Sequence, residues 1–150
     1  MGKGGDLMFM GEYHYNLDEK GRLTIPSKFR DELGYEFIIT RGLDNCLFVY
    51  TKKEWENKLA QYNTLPNTKD SRKFMRLFLS GAILSSTDKQ GRTNISAPLM
   101  AYANLTKECV IIGVGDHAEI WDSNLWQEFM NDIDDISDIA EDLFKEQKNA

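Results

Sequence analysis

The chain has 150 residues, enough for one domain or for two small halves that share a core, and its 41% hydrophobic and 28% charged residues are ordinary for a globular protein. No apolar run approaches the roughly 18 residues of a membrane span, and residues 1–7 lack the apolar centre of a signal peptide. The net charge of −6 argues against nucleic acid, but eight acids and no Lys or Arg lie between Asp122 and Phe144, leaving 16 acids against 18 Lys and Arg elsewhere.

Residues 1–7 read as a flexible extension added ahead of a natural start at Met8-Phe-Met-Gly11. Residues 12–17 place Tyr13, Tyr15 and Leu17 on one face, the pattern of a half-buried strand. Asp18 to Gly21 then make a turn, and Leu23-Thr-Ile25 alternates again before Pro26. Ser27 is expected to cap a short helix through Leu33, with Gly34 at its C-terminal end. Glu36–Thr40 and Cys46–Tyr50 are β-prone runs around a turn at 41–45. Thr51-Lys-Lys-Glu54 has the form of a capping box, opening a helix with Trp55, Leu59 and Tyr62 on one face. A loop around Pro66 precedes a helix expected to start at Asp70 and run through Leu79.

The next stretch repeats the first. Asp88-Lys-Gln-Gly-Arg92 stands 70 positions after Asp18-Glu-Lys-Gly-Arg22, with Gly11 and Gly81 seven residues ahead and Ile25 and Ile95 three behind. Ala82–Thr87 and Thr93–Ile95 repeat the strands, and a short helix follows near Pro98 to Asn104. Leu33 aligns with Leu105 at an offset of 72, which places a two-residue gain near Pro98. Cys109–Ile112 and Glu119–Trp121 are strands around a turn at 113–117, and Trp126 matches Trp55 at an offset of 71. Trp126, Phe129, Ile133, Ile136, Ala140 and Leu143 recur at spacings of three and four, predicting one amphipathic helix of about five turns with an acidic outer face. That helix packs either on its own subunit or against a neighbouring subunit or another protein.

Little in the chain points to catalysis. His14 and His117 occupy different places in their repeats, and neither has an evident orienting carboxylate. Gly113-Val-Gly115-Asp-His lacks the third Gly and the helix of a phosphate loop, and no metal-binding constellation or nucleophile elbow occurs. Cys46 and Cys109 have no partner at metal-ligand spacing and read as reduced, part-buried thiols. No catalytic residue, metal or cofactor is assigned.

The repeated motif has two readings. In one it is a clamp: Asp accepts turn N–H groups, Gly takes the special backbone angles, and Arg folds back onto Asp. In the other, Arg22 and Arg92 project from the tip of a two-stranded ribbon, where Arg can donate bidentately to guanine or contact phosphate. Lys20, Lys28 and Arg30 around the first turn and Lys89 near the second would add phosphate contacts. Both readings can hold together: Asp18, Gly21, Asp88 and Gly91 shape the turns, while Lys20, Arg22, Lys28, Arg30, Lys89 and Arg92 face DNA.

These residues resemble the MraZ family of bacterial transcriptional regulators. The matches are Met8-Phe-Met-Gly11, Asp18-Glu-Lys-Gly-Arg-Leu-Thr-Ile-Pro26 with Phe29-Arg30, Asp88-Lys-Gln-Gly-Arg92, Val110-Ile-Ile-Gly113 and Ile120-Trp-Asp122. The resemblance implies an α+β fold, a β-rich pseudo-symmetric core built from two AbrB-like swapped-hairpin repeats with peripheral helices. The expected division is 1–7 extension, 8–62 first repeat, 63–80 linker and helix, 81–126 second repeat, and 127–150 acidic amphipathic C-terminal helix and tail. The resemblance further implies a ring-shaped homo-oligomer in the cytoplasm, on the nucleoid. Such a ring would bind closely spaced, G-rich direct repeats of double-stranded DNA and repress its own division and cell-wall operon, with no membrane or small-molecule partner. The second copy departs from the first at Gln90 (against Lys20), at Thr93-Asn94 (against Leu23-Thr24) and in lacking a counterpart to Arg30, so the first copy is the stronger candidate reader. The alternative is a ring-forming interaction scaffold whose Asp-x-x-Gly-Arg turns are purely structural.

Overall fold

A computed structural model describes residues 8–133 and 135–148, with side chains to 145. The extension expected at 1–7 lies outside the described residues. The elements in order are β1 (Glu12–Asn16), β2 (Arg22–Thr24), α1 (Ser27–Leu33), β3 (Glu36–Arg41), β4 (Leu47–Thr51), α2 (Lys52–Tyr62) and α3 (Lys69–Ser80), then β5 (Ile83–Ser86), β6 (Arg92–Asn94), α4 (Ala97–Tyr102), β7 (Glu108–Gly113), β8 (Ala118–Asp122), α5 (Ser123–Asp132) and α6 (Ile136–Lys148). Among the described residues no helix is long and apolar enough to cross a membrane.

Six antiparallel strands form one sheet in the order β1-β7-β8-β4-β3-β5, and β2 pairs with β6 in a separate ribbon. The order is a near-palindrome. Exchanging each strand for its counterpart in the other repeat reverses it. β1 of the first repeat pairs with β7 of the second, and β5 of the second pairs with β3 of the first. Each repeat thus lends its first strand to the other, and neither closes its own sheet.

Period-two alternation sorts the strands onto two faces. Phe37 and Ile39, Leu47 and Val49, Cys109 and Ile111, and Ala118 and Ile120 join Leu23, Ile25, Phe29, Ile95 and Leu99 in the larger core. Phe48, Tyr50, Val110 and Trp121 point the other way, onto Trp55, Tyr62, Phe74, Phe78, Leu125 and Trp126 of the helices. Because both faces are covered, β3 and β4 are apolar almost without interruption, whereas β1, at the sheet edge, alternates. The two cysteines are more enclosed than expected, fully buried as free thiols, and burial pushes the Cys109 thiol up to about 12.

Several local expectations change. Ser27 is the first helical residue of α1, after Pro26, and supplies no side-chain cap. Thr68, not Asp70, caps α3: its hydroxyl accepts from the Ser71 N–H at 3.1 Å, and Asp70 sits in the first turn. Half of the expected capping box forms, with Thr51 Oγ1 accepting from the Glu54 N–H at 3.0 Å. The two-residue gain lies after α4 rather than near Pro98. Phe29, Leu33 and the left-handed Gly34 (φ 79°) correspond to Leu99, Ala103 and the left-handed Asn104 (φ 53°), all at an offset of 70. The extra residues therefore fall between Asn104 and Glu108.

The long C-terminal helix is two helices. Ile133 leaves α5 in an extended conformation, and Asp135 Oδ1 accepts the Ser137 N–H at 2.8 Å to start α6. An Asp can satisfy the orphan donors of a helix start only by interrupting the helix before it, so capping overrides an unbroken apolar periodicity here. The halves then differ. Trp126 and Phe129 of α5 pack on Trp121 of their own chain, with centroids 5.2 Å away in both cases. Ile136, Ile139, Leu143 and Phe144 of α6 remain exposed.

Candidate nucleic-acid interface

Each Asp-x-x-Gly-Arg segment is a closed turn. The Gly21 N–H donates to Asp18 O at 3.0 Å and the Asp18 N–H to Arg22 O at 2.9 Å; in the second copy these are 2.9 and 2.8 Å. Asp18 Oδ1 accepts the Lys20 and Arg22 N–H groups, both at 2.9 Å, and Asp88 Oδ1 does the same for Gln90 and Arg92. A short carboxylate can meet two turn amides only if the chain reverses tightly, which Gly21 and Gly91 permit at φ 74° and 79°. Hydrogen bonds from the Arg22 and Arg92 amides hold the two carboxyls below the usual Asp range despite the opposing effect of desolvation.

The arginines fold back as the clamp requires. Arg22 Nε donates to Asp18 Oδ2 at 2.7 Å and Arg92 Nε to Asp88 Oδ2 at 2.9 Å. Beyond that they diverge. Arg92 Nη2 also donates to Gln90 Oε1 at 2.7 Å, and its Nη1 lies 3.8 Å from Asp18 Oδ2. All three of its nitrogens have protein partners. Among the described residues the Nη groups of Arg22 make no hydrogen bond, leaving two parallel donors for a ligand.

The ribbon that carries these arginines is not the one expected. β1 and β2 of one repeat do not make a hairpin; β2 pairs with β6, so Arg22 faces Asn94 and Thr24 faces Arg92 across the repeats. The Ile25 N–H donates to Gly91 O and the Ile95 N–H to Gly21 O, both at 2.9 Å, so each turn is pinned by the other repeat. The two arginines thus sit on one short ribbon. A pairing between residues 70 apart leaves no local signal, and only the resemblance, with its swapped-hairpin repeats, pointed to an exchange between the two copies.

Arg30 has a role that the sequence did not reveal. Its Nη1 donates to Ile25 O at 2.6 Å, and its guanidinium lies so close over Gly91 that any Cβ there would collide with it. Its counterpart is Met100, whose Sδ and Cε cover Gly21. Each repeat's short helix therefore braces the other repeat's turn, once with a cation and once with a thioether. Lys20, Lys28 and Lys89 are exposed. The structure thus brings Arg22, Arg92, the two aspartates and Arg30 together, with Lys20 and Lys89 on the turns themselves and Lys28 in the first turn of α1.

A second polar cluster lies away from the ribbon. His117 packs against the Phe48 and Tyr50 rings, with Nδ1 2.7 Å from Asp116 Oδ1 and Nε2 3.2 Å from Glu119 Oε2. These are orienting carboxylates where the sequence offered none. Burial pulls the imidazole pKa down, but the bonds and charges of Glu119 and Asp116 outweigh it and the net shift is upward. A base with a raised folded pKa contributes stability that is fully present below its ordinary value of 6.5 and is lost as pH rises through the raised value. The urea midpoint is expected to fall between pH 6 and pH 9, and His117→Gln is expected to flatten that slope. An unchanged slope in the variant would assign the effect to other groups.

Two consecutive stretches of the chain, residues 8–77 and 78–147, match the family model described as "MraZ protein, putative antitoxin-like".

Proposed function

The chain belongs to the MraZ family, a family of DNA-binding regulators, and from that membership we propose that it is a sequence-specific transcriptional regulator that reads double-stranded DNA with its β2–β6 ribbon. The observation that carries this reading is the free Nη pair of Arg22 on a turn already locked by Asp18 and Gly21. A guanine presents O6 and N7 as two acceptors in the major groove, and a held guanidinium meets both without ordering cost at the moment of binding. A two-stranded ribbon fits that groove. Lys20, Lys28 and Lys89 supply phosphate contacts, while Arg92 and Arg30 hold the platform and contribute charge.

One ribbon offers few base contacts, so one subunit binds weakly. A ring of identical subunits would present ribbons at regular intervals to direct repeats about one helical turn apart, and avidity would raise affinity without new contacts. Repression of its own division and cell-wall operon by such a nucleoid-bound ring is the regulatory role this reading assigns.

Affinity for a G-rich direct-repeat duplex is expected to fall with salt at a log–log slope of about −0.9 per phosphate contacted. Fluorescence anisotropy across salt concentrations, with light scattering of the protein alone and on DNA, measures both slope and assembly. A flat salt response would remove the ribbon-on-DNA reading. The clamp geometry of both arginines favours a second reading, a ring-forming scaffold with purely structural turns. That scaffold would assemble but show no preference for the repeats over a scrambled duplex.

A further inference from the structure

The two-residue gain of the second repeat has a definite place. Gly34 and Asn104 follow the short helices in left-handed conformations, and Glu36 and Glu108 open β3 and β7. One residue, Tyr35, joins them in the first repeat; three, Leu105, Thr106 and Lys107, join them in the second. The longer connection is held along its whole length. The Leu105 N–H donates to Met100 O at 2.9 Å, the Thr106 N–H and Oγ1 donate to Asp122 Oδ1 at 3.1 and 2.6 Å, and Lys107 O accepts the Leu17 N–H at 2.7 Å. Asp122 is itself fixed, because its Oδ2 accepts the Asn124 and Leu125 N–H groups at the start of α5. A loop tied to α4, to the end of β8 and to the residue after β1 sets its last residue in one place.

That place is beside the first turn. Lys107 is exposed, and with Asp18, Glu19, Gly21 and Met100 it lines a shallow groove of about 440 Å³. Among the described residues its ammonium has no ion-pair or hydrogen-bond partner. The first turn is otherwise short of cations. Cross-bracing sends Arg30 over the second turn and gives the first only the Met100 thioether. With Asp18 paired to Arg22, the first turn keeps Glu19 and Lys20, which cancel; with Asp88 paired to Arg92, the second keeps Lys89 beside the neutral Gln90. The turn whose arginine has free donors would therefore offer a phosphate strand no net charge of its own. Lys107 gives it one, whereas the equivalent place beside the second turn holds the uncharged Tyr35.

We propose that Lys107, carried on the connection between α4 and β7, contacts DNA phosphate next to the Arg22 turn, and that Thr106 and Asp122 are its positioning residues. This rests on the DNA-reading function of the ribbon. The major groove is about 12 Å wide and walled by phosphates, so a ribbon lying in it brings a cation held beside its turn, rather than at its tip, against a wall. Phosphate contacts fix register and orientation without reading sequence. Lys107 anchors the turn whose arginine reads bases, and the second repeat thereby supplies the anchor for the first repeat's reader.

The test titrates full-length Lys107→Ala, Thr106→Val and the double variant by fluorescence anisotropy, against the G-rich direct-repeat duplex and a scrambled duplex across salt concentrations, with far-UV circular dichroism as the fold control. Lys107→Ala is expected to weaken binding to both duplexes by the same factor, roughly three- to tenfold for each ribbon engaged, and to make the log–log salt slope shallower by about 0.9 per ribbon. Lys107→Arg is expected to keep the natural affinity and slope. Thr106→Val removes the 2.6 Å bond to Asp122 and is expected to weaken binding in the natural background but not in Lys107→Ala, where nothing is left to position. An unchanged slope and affinity in K107A, beside a natural chain that prefers the repeats, overturns the Lys107 contact and leaves the ribbon reading standing. Loss of discrimination by K107A moves the residue to the bases and overturns the phosphate role. A T106V loss that persists in full on the K107A background overturns the positioning by the loop. A natural chain with a flat salt response overturns the ribbon reading itself, and the Lys107 contact with it.

Discussion

Arg22→Ala is expected to reduce specific DNA affinity roughly five- to hundredfold per contacted site, the equivalent of about 1–3 kcal/mol for one bidentate guanine pair. In an assembly that engages several sites the losses compound, and discrimination between repeat and scrambled duplex should disappear. The fold should survive, because Asp18 keeps its bonds to the Lys20 and Arg22 amides, which no side-chain change removes. Arg22→Lys keeps the charge but not the planar fork, so it should retain the salt slope and still lose discrimination. Arg92→Ala behaves differently. Its guanidinium ties Asp88, Gln90 and the other turn's Asp18, so its loss loosens the platform and lowers the unfolding midpoint. Anisotropy titrations of the three variants beside thermal melts separate these effects. Equal affinity losses for R22A and R92A with unchanged melts would mean that both arginines read DNA alike.

Phe29→Ala is expected to cost about 3–5 kcal/mol, a large share of the roughly 5–15 kcal/mol that holds a domain of this size. Phe29 is fully enclosed, and its ring meets the edges of Phe9 and Tyr13, each at a centroid distance of 5.3 Å. It therefore joins the N-terminal segment, β1 and α1 in one contact set. Leu99 holds the equivalent place in the second repeat, but there the residue matching Phe9 is Leu79, on the exposed side of α3. Leu99→Ala should accordingly cost less than Phe29→Ala. Urea unfolding of both variants measures the difference, and a larger loss for Leu99→Ala would show that the larger core is not anchored at the first repeat.

Much of the local structure was legible. The two turns follow from Asp, Gly and their spacing, because an Asx turn and a left-handed glycine are properties of five residues. The central strands were legible from their apolar runs, and so were α2 and its Thr51 cap. The alignment of Trp55 with Trp126 marked the two repeats, which the family match covers in succession. Errors arose where two local signals competed. At 133–135 an unbroken apolar spacing concealed a helix start at Asp135. Near Pro98, matching Leu33 to Leu105 hid the better equivalence of Gly34 with Asn104, two residues of different type that share a left-handed backbone.

The sequence by itself determined the units: two copies of strand, Asp-capped turn, strand and short helix, with acids gathered at one end of the chain. Only the tertiary structure decided how the copies interlock. Hydrogen bonds between Ile25 and Gly91 and between Ile95 and Gly21 span about one repeat length, and no periodicity or propensity encodes a partner 66 or 74 positions away. The same long-range pairing placed Arg30 on Gly91 and brought Asp18 to Arg92, while Gln90, two residues away in the same pentapeptide, took another of the Arg92 donors; among the described residues the Arg22 Nη groups have no such partner. The different surroundings of Arg22 and Arg92 therefore have a local part, Gln90 against Lys20, that the sequence displays, and a long-range part, Asp18 beside Arg92 and Arg30 over Gly91, that only the fold supplies.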